Sequence, residues 1–327
     1  MHKEVKMFKR AFVTAICFIM LIAVSSVYAA GKREGHVCDA EFVSDKVGNS
    51  TWIILDGRGG DEYQAGHIPG AVNYGKPVVV TLKHPVDGRV VSVQEAERLL
   101  GQIGVSNDKG LIIYGTKGDY HVTVEQLPIY VGVKEFCYLD GGYEAWVESG
   151  KKVETGKVNP VPAVFKAKIS KPELYVTTEE MISIVKNKNS KVTLIDVRSP
   201  KEYNAEENTT LRGGRLPGAI NIPVDKNIDK GTGKLLAIEK LGDIYKDIPK
   251  DHKVILYCHR GCRTAFAYYA LENLGYKNVA IYEDGYIVWG ARNDTPVENE
   301  HYTNMRPVVL TLEALKKRLD ELEAKIK

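Results

Sequence analysis

Residues 254–264 read VILYCHRGCRT, and this stretch decides the fold of the second half of the chain. Four apolar residues precede Cys258, and a second apolar run, AFAYYAL at residues 265–271, ends shortly before Gly275. The pattern predicts a buried strand, a tight loop and a helix closed by that glycine. Cys258 would then stand at the end of a strand and the start of a helix, where unpaired backbone N–H groups and the helix dipole favour an anion.

Such a position favours the thiolate, which is the nucleophilic form of cysteine. Arg260 and Arg263 add positive charge within the same loop. A cysteine at a strand end can also be a buried structural residue. The combination of a glycine, two arginines and a helix start in one loop favours the reactive interpretation.

This loop resembles the active-site loop of the rhodanese sulfurtransferases, whose pattern in many members is Cys-x-x-Gly-x-Arg-Thr. Four residues separate Cys258 from Arg263, whereas the related phosphatases have five and so form a wider cradle that fits phosphate. The residue before the cysteine is Tyr257 rather than histidine. The resemblance therefore implies a small cradle for a sulfur atom carried on cysteine.

The chain repeats itself at a period of roughly 140 residues, which is the size of a domain. Residues 52–58 (WIILDGR) correspond to 192–198 (VTLIDVR), residues 66–73 correspond to 214–221, and residues 142–146 correspond to 285–289. Short apolar runs alternate with helical stretches in each copy, a pattern that is typical of parallel α/β units. These motifs also resemble rhodanese domains. We therefore expect an α/β chain with two rhodanese-like domains, each a mainly parallel five-stranded sheet flanked by helices.

The same features predict the organisation of the chain. We expect a signal peptide at 1–29, a non-catalytic domain at 30–155, a linker at 156–165, a catalytic domain at 166–300 and an amphipathic helix at 301–327. The linker is expected to be extended because its two prolines disfavour helix.

The first copy departs from the pattern at its own loop. Gly115 stands where the second copy has its cysteine, and Tyr120 stands where it has Arg263, although Gly118 preserves the turn glycine. The first copy thus lacks both a nucleophile and a cation. It resembles the first domain of tandem sulfurtransferases in which only the C-terminal domain is catalytic.

The N-terminal segment has the three regions of a secretory signal peptide. Four basic residues precede an apolar run from Ala11 to about Val24, and residues 27–29 (VYA) form a small-x-small cleavage pattern. The alternative is an uncleaved anchor, for which the apolar run is short. The sequence therefore predicts a periplasmic or secreted protein with no membrane partner after cleavage.

Charge and cysteine content exclude several other classes. The net charge is +3, and all of it lies in the predicted leader, so no basic surface for nucleic acid is expected. The mature chain keeps Cys38, Cys137, Cys258 and Cys262, which lack the spacing of a metal site. We expect neither metal nor cofactor, and the sequence leaves open whether Cys38 and Cys137 pair.

The resemblance implies that Cys258 is the nucleophile and becomes a persulfide. Arg263 would complete the anion cradle or brace the loop. Arg260 indicates an acidic donor such as thiosulfate and argues against mercaptopyruvate, because family members that act on mercaptopyruvate tend to have small neutral residues there. The backbone N–H groups from His259 to Thr264 would hold the anionic sulfur.

The other candidates for substrate binding have alternative roles. Gly261 is the expected turn residue, and His259 either touches the substrate or faces solvent. Cys262 is predicted to be dispensable for transfer but able to act as a resolving thiol under oxidation. Arg198 either faces the substrate or pairs with Glu202 as a structural brace.

Three functions are compatible with these residues. The first is sulfur transfer from a small anionic donor, thiosulfate or polysulfide, to a thiol, protein or cyanide-type acceptor. The second is reduction of an oxyanion or a disulfide by Cys258 and Cys262, and the third is a non-enzymatic persulfide carrier. The C-terminal helix, with apolar residues three and four apart from Leu312 to Ile326, is expected to pack on its own domains or to form a dimer.

Overall fold

The structure is a computed structural model and describes residues 35–84, 89–187 and 190–326. The predicted signal peptide at 1–29 lies outside the described residues. Within the described part of the chain, no helix is both long enough and apolar enough to cross a membrane.

Eleven strands are described, and they form two parallel sheets and one antiparallel pair. The strands are β1 (Val37–Cys38), β2 (Trp52–Asp56), β3 (Gly110–Tyr114), β4 (Glu135–Leu139), β5 (Tyr175–Val176), β6 (Val192–Asp196), β7 (Arg212–Arg215), β8 (Ile220–Asn221), β9 (Lys253–Tyr257), β10 (Val279–Tyr282) and β11 (Glu298–Tyr302). The first sheet has the order β1-β4-β3-β2, the second has the order β5-β10-β9-β6-β8, and β7 pairs with β11. The predicted α/β fold with two mainly parallel sheets is thus confirmed.

The two sheets correspond strand by strand except at one edge. In the second sheet Ile220 of β8 pairs with Ile195 of β6. In the first, a single parallel bridge between Leu55 and Val72 occupies that place. The first sheet therefore has four strands where five were expected.

The described part of the chain has twelve α-helices and three short 3-10 helices. The α-helices are α1 (Ala40–Ser44), α2 (Gly60–Ala65), α3 (Val78–Leu82), α4 (Val93–Gln102), α5 (Leu127–Tyr130), α6 (Gly142–Glu148), α7 (Thr178–Asn187), α8 (Pro200–Tyr203), α9 (Ile238–Tyr245), α10 (Thr264–Asn273), α11 (Gly285–Trp289) and α12 (Arg306–Ile326). The 3-10 helices are His121–Thr123, Pro172–Leu174 and Val224–Asn227.

Helix α10 is buried around its whole circumference. Every residue from Thr264 to Leu271 is buried, which explains why its sequence is apolar on all sides rather than on one stripe. It packs on its own sheet and also against the first half, where the Phe266 ring meets the rings of Tyr120 and Tyr138. The loop at the start of α10 is consequently covered by both halves of the chain.

A disulfide bond joins Cys38 at β1 to Cys137 in β4, whose Cα atoms are 5.9 Å apart. These two strands are hydrogen-bonded neighbours in the first sheet. Both cysteines are fully buried. The pairing that the sequence left open is therefore present.

Within the described chain, the C-terminal helix α12 meets its own domain only at its first turn, where Val308 lines a pocket with Leu211 and Ile287. Its residues from 306 to 325 are all exposed, including the leucines of its apolar stripe. The expectation that this stripe is buried against the rest of the chain is wrong. A helix of 21 residues extends about 31 Å, so the exposed stripe is several turns long.

Candidate active site

Strand β9 places Cys258 at the carboxyl end of the central part of the second sheet. Four of its five residues are buried, because both faces of this parallel sheet are covered. The chain then turns at Gly261, where φ is +85°, and α10 begins at Thr264. The predicted strand, loop, turn glycine and helix are thus confirmed.

The loop presents a row of unpaired donors. Among the residues that the structure describes, none accepts a hydrogen bond from the backbone N–H groups of residues 259–263. Thr264 is different, because its N–H and its hydroxyl both donate to the carbonyl of Gly261 and so fix the turn. Five consecutive free amides beside one cysteine can stabilise an anionic sulfur.

Arg263 is a brace that also lines the cavity above the cysteine. Its guanidinium donates two hydrogen bonds to Glu202, at 2.6 and 2.8 Å. Burial alone would raise the pKa of Glu202, but the hydrogen bonds and charge of Arg263 lower it to about 2. The arginine therefore stays charged and fixed beside the loop.

Lowering the pH is expected to remove this brace and to destabilise the second domain. A carboxyl group whose pKa falls on folding stabilises the protein above its unfolded pKa, and this contribution is lost as the pH falls through the folded pKa. Between an ordinary value of 4.5 and a folded value of about 2, the loss approaches ~3 kcal/mol. Urea unfolding at several pH values should show it in the wild type and not in Glu202→Gln. Identical pH dependence in the two proteins would contradict the assignment.

Arg198 does not reach the cavity, contrary to its prediction as a substrate-binding residue. Its side chain is buried, donates to Asp196 and to the carbonyl of Gly214, and lies over the ring of Tyr286. The brace is real, but its partner is Asp196 and not Glu202. Arg58 makes the same bonds to Asp56 and Gly66 in the first copy, which shows that the motif is structural in both.

His259 lies partly buried at the cavity wall, with Nδ1 at 3.3 Å from the hydroxyl of Thr209. Burial and the neighbouring Arg260 and Arg263 lower its pKa to about 4. The imidazole is consequently neutral at neutral pH and can act as a hydrogen-bonding group at this wall, but adds no charge. Arg260, in contrast, is largely exposed.

A cavity of about 520 Å³ opens above Cys258. The second half contributes Cys258, His259, Arg260, Cys262 and Arg263, and the first half contributes Val79, Val80, Lys83, His84 and His121. No carboxylate is among these ten residues, but Lys83 and Arg263 are paired with Glu125 and Glu202, so Arg260 supplies the positive charge on a largely apolar wall. Gly261, Thr264 and Arg198 do not line it.

The residues from the first half are the part of the site that sequence reasoning missed. They come from α3 and from the two segments that follow α3 and β3. The available signal was the position of residues 116–121, which correspond to the reactive loop of the second copy. Two parallel units that pack with their loops face to face bring such segments together, but nothing in the residues 78–84 themselves indicates a site.

The first copy cannot hold a cysteine at position 115 without rearrangement. Gly118 has φ +71° and preserves the turn. A Cβ atom at Gly115, however, would lie 2.8 Å from Val122 Cγ1 and 2.9 Å from Asp119 Oδ2. These contacts are closer than normal packing allows.

We therefore expect Gly115→Cys in a Cys258→Ser background to load no sulfur and to lose about 1–3 kcal/mol of stability, the usual cost of overpacking. The new side chain would crowd Val122, and Tyr120 supplies no cation beside it. Intact-mass measurement after donor treatment, together with thermal unfolding, tests both parts. Cys258→Ser alone is the control, and substantial sulfur loading of the double variant would contradict this expectation.

Several curated proteins are similar to this chain over most of its length. A sulfur carrier protein, TtuD, of Thermus thermophilus is 29% identical over 72% of this chain and 86% of its own length. A putative thiosulfate sulfurtransferase of Haloferax volcanii is 30% identical over 73% and 85%. A 3-mercaptopyruvate sulfurtransferase of Escherichia coli is 28% identical over 72% and 85%.

Solved structures share the fold. The anaerobic ergothioneine biosynthesis enzyme of Chlorobium limicola, bound to trimethyl histidine, superimposes with a TM-score of 0.72 at 22% identity and covers 80% of this chain and 70% of that one. The sequence profile of the rhodanese-like domain matches residues 39–149 and 177–292, one segment in each half. With both halves matched, this chain belongs to the rhodanese-like family.

Proposed function

We propose that the protein is an exported sulfurtransferase that carries sulfane sulfur as a persulfide on Cys258. The observation that carries the proposal is the surroundings of this free thiol: five unpaired loop amides and a cavity wall with cations and no carboxylate. Cys258 is only 1% exposed, which restricts direct reaction to a small molecule that enters the cavity. A small anionic sulfur donor fits these conditions.

The chemistry balances without a cofactor. The thiolate of Cys258 attacks the outer sulfur of thiosulfate, the S–S bond of the donor breaks, and sulfite leaves with the bonding electrons. The persulfide then transfers its outer sulfur to a nucleophilic acceptor, a thiol or cyanide, and the Cys258 thiolate is regenerated. The unpaired amides stabilise the anion at both stages.

Thiosulfate or polysulfide is the donor class that we favour. Arg260 stands on the cavity wall with no ion-pair partner among the described residues, which suits a donor that keeps its negative charge while it is bound. The relatives named for thiosulfate and for mercaptopyruvate are similar to this chain to nearly the same degree, so the preference rests on the wall residues.

The test is intact-mass analysis of the mature protein after exposure to thiosulfate or polysulfide. We expect one added sulfur atom in the wild type and in Cys262→Ala, and none in Cys258→Ser. Removal of that atom by cyanide, with formation of thiocyanate, completes the cycle. Unchanged sulfur loading in Cys258→Ser would refute the mechanism.

A carrier function is the second candidate, supported by the relative that is named a sulfur carrier protein. A carrier would form the same persulfide but release it only to a protein partner. Multiple turnover with thiosulfate and cyanide supports the enzyme, and loading without turnover supports the carrier. The redox alternative has less support, because burial raises the pKa of Cys262 and keeps its thiol protonated.

Export is the remaining part of the proposal. The predicted leader is one argument, and the Cys38–Cys137 disulfide is an independent one, because such bonds persist mainly in oxidising compartments. N-terminal sequencing of protein from the extracytoplasmic fraction should show a new terminus near Ala29. Protein that stays in the cytoplasm with Met1 or Met7 intact would contradict export.

A further inference from the structure

A buried ion pair from the first half lies directly against the sulfur-transfer loop. Lys83 is 8% exposed and Glu125 is fully buried, and the Lys83 ammonium contacts Oε1 of Glu125. The same ammonium donates to the carbonyl of Arg260 at 2.6 Å and lies 3.6 Å from Sγ of Cys262. One lysine of the first half is thus bonded to the backbone of the loop in the second.

The chain reaches this arrangement through an unusual backbone. Val124, Glu125 and Gln126 have φ values of 44°, 56° and 63°, three consecutive non-glycine residues in the left-handed region. Such residues normally occur singly and cluster where function requires them. All three are buried, and they interrupt the segment that corresponds to α10 in the second copy.

This strained segment is fixed to the second half at several points. Tyr175 donates to the carbonyl of Glu125 at 3.1 Å, and the side-chain amide of Gln126 donates to the carbonyl of Ala265 at 3.3 Å. A Cβ atom at Gly261 would overlap the carboxyl group of Glu125, so the carboxylate occupies the space that the glycine leaves free. The turn glycine therefore serves two needs, its own left-handed backbone and close approach of the ion pair.

The bond from Lys83 to Arg260 fixes one peptide group of the cradle. In a planar trans peptide the carbonyl of Arg260 and the N–H of Gly261 point in opposite directions. Holding the carbonyl toward the first half therefore holds the Gly261 N–H away from it. This N–H is one of the five unpaired donors of residues 259–263.

We propose that Lys83, held by Glu125, is a positioning residue that orients the Arg260–Gly261 peptide for persulfide stabilisation. Because Glu125 neutralises it, the pair contributes orientation more than net charge. The non-catalytic half of the chain then completes the reactive loop. This inference rests on the proposed function and deepens it.

The competing explanation is that Lys83 only neutralises Glu125. Lys83→Met alone does not separate the two, because it leaves a buried carboxylate without its counter-ion. The double variant Lys83→Met/Glu125→Leu removes both charges and replaces the buried ion pair with two apolar side chains. Lys171→Met is the matched control, because Lys171 is a partly buried lysine whose ammonium donates to the hydroxyl of Tyr268, away from the loop.

Two measurements decide between these explanations, with the full mature chain. The first is the single-turnover rate of sulfur loading from thiosulfate. The second is the pH profile of Cys258 alkylation by iodoacetamide in a Cys262→Ala background, which reports how well the loop stabilises the thiolate. We expect Lys83→Met and Lys83→Met/Glu125→Leu to load sulfur about 10²-fold more slowly than the wild type, which is the scale for loss of one oriented donor. Alkylation of Cys258 in these two variants should also require a higher pH.

Restored loading and an unshifted alkylation profile in the double variant would overturn the proposal, as would normal behaviour of Lys83→Met. If Lys171→Met also loaded sulfur slowly and shifted the alkylation profile, the effect would not be specific to Lys83, and this result would overturn the proposal as well. If the wild type loads no sulfur, the proposed function fails. The alkylation profile then still decides whether Lys83 orients the loop.

A second inference comes from α12, whose apolar stripe is largely exposed to solvent. Val308, Leu312, Leu315, Leu319 and Leu322 alternate at steps of four and three, the spacing of a coiled-coil seam. Each of them is roughly half exposed or more. Most of the stability of a helix in a protein comes from packing of its apolar face, so this exposed seam favours a partner.

The charges beside the seam fit a second copy of this chain in parallel orientation. Arg318 and Glu323 flank the seam on opposite sides, five residues apart, so each Arg318 meets Glu323 of the second copy. In the antiparallel arrangement that aligns the same leucines, Lys316 would face Lys316 and Arg318 would face Arg318. We infer that α12 mediates parallel self-association.

Sedimentation equilibrium of the mature chain should show a concentration-dependent dimer, and Leu315→Asp/Leu319→Asp should be monomeric. Lys317→Asp, which places the same charge away from the seam, is the control and should still dimerise. Arg318→Glu should weaken the dimer, and adding Glu323→Arg should restore it. A monomeric wild type would overturn the inference, and a dimer strengthened by Arg318→Glu would overturn the parallel orientation.

Discussion

Cys258→Ser is expected to reduce sulfur transfer by a factor of about 10⁴ or more, the scale on which enzymes lose activity when a covalent nucleophile is removed. A serine hydroxyl in the same cradle is not ionised at neutral pH and forms no persulfide. Steady-state formation of thiocyanate from thiosulfate and cyanide measures the loss.

Cys262→Ala is the matched comparison, since it removes the other free thiol of the same cavity. Sγ of Cys262 donates to Glu125 at 3.6 Å, a weak contact whose loss should change turnover only a few-fold. This variant should also lose any reversible inactivation by oxidants that joins the two thiols. Loss of turnover in Cys262→Ala under fully reducing conditions would give Cys262 a place in the chemistry.

The second large effect is expected from the disulfide. Cys38 and Cys137 are 99 residues apart in sequence, so their bond closes a long loop of the unfolded chain. Replacing both by alanine should cost about 2–5 kcal/mol of stability, the usual range for a native disulfide. Denaturant unfolding of the double variant measures this cost.

Wild-type protein unfolded under strong reductant should show the same loss of stability as the double variant, because reduction removes the same bond. Cys258→Ser treated in parallel shows that the shift does not come from the reactive thiol. Equal midpoints with and without the disulfide would contradict the expected stabilisation.

Local sequence patterns predicted the reactive strand, loop and helix because each rests on residues close together in the chain. The run before Cys258 is apolar, and Gly261 marks the turn. The internal repeat indicated that the first half contains a sheet of the same kind as the second. The brace at Arg198 was predicted as one alternative, but its partner was not. Asp196 and Glu202 are both near in sequence, and only the buried geometry distinguishes them.

The contribution of the first half was not predictable in the same way. Lys83 and Arg260 are 177 residues apart, and their contact depends on how two finished domains pack. Neither residue has a local pattern that indicates the other. The exposed face of α12 was misjudged for a related reason, because an apolar stripe shows that a helix needs a partner and not which molecule supplies it.

The cysteines that the structure describes differ widely in their access to solutes. The cystine of Cys38 and Cys137 is fully buried, whereas Cys258 opens onto a cavity. In the proposed reaction an acceptor thiol would itself be a reductant, and it would reach the persulfide through the cavity, whereas the cystine has no such opening. Burial would therefore slow reduction of the Cys38–Cys137 disulfide, so that the proposed transfer to a thiol acceptor would leave this structural bond intact.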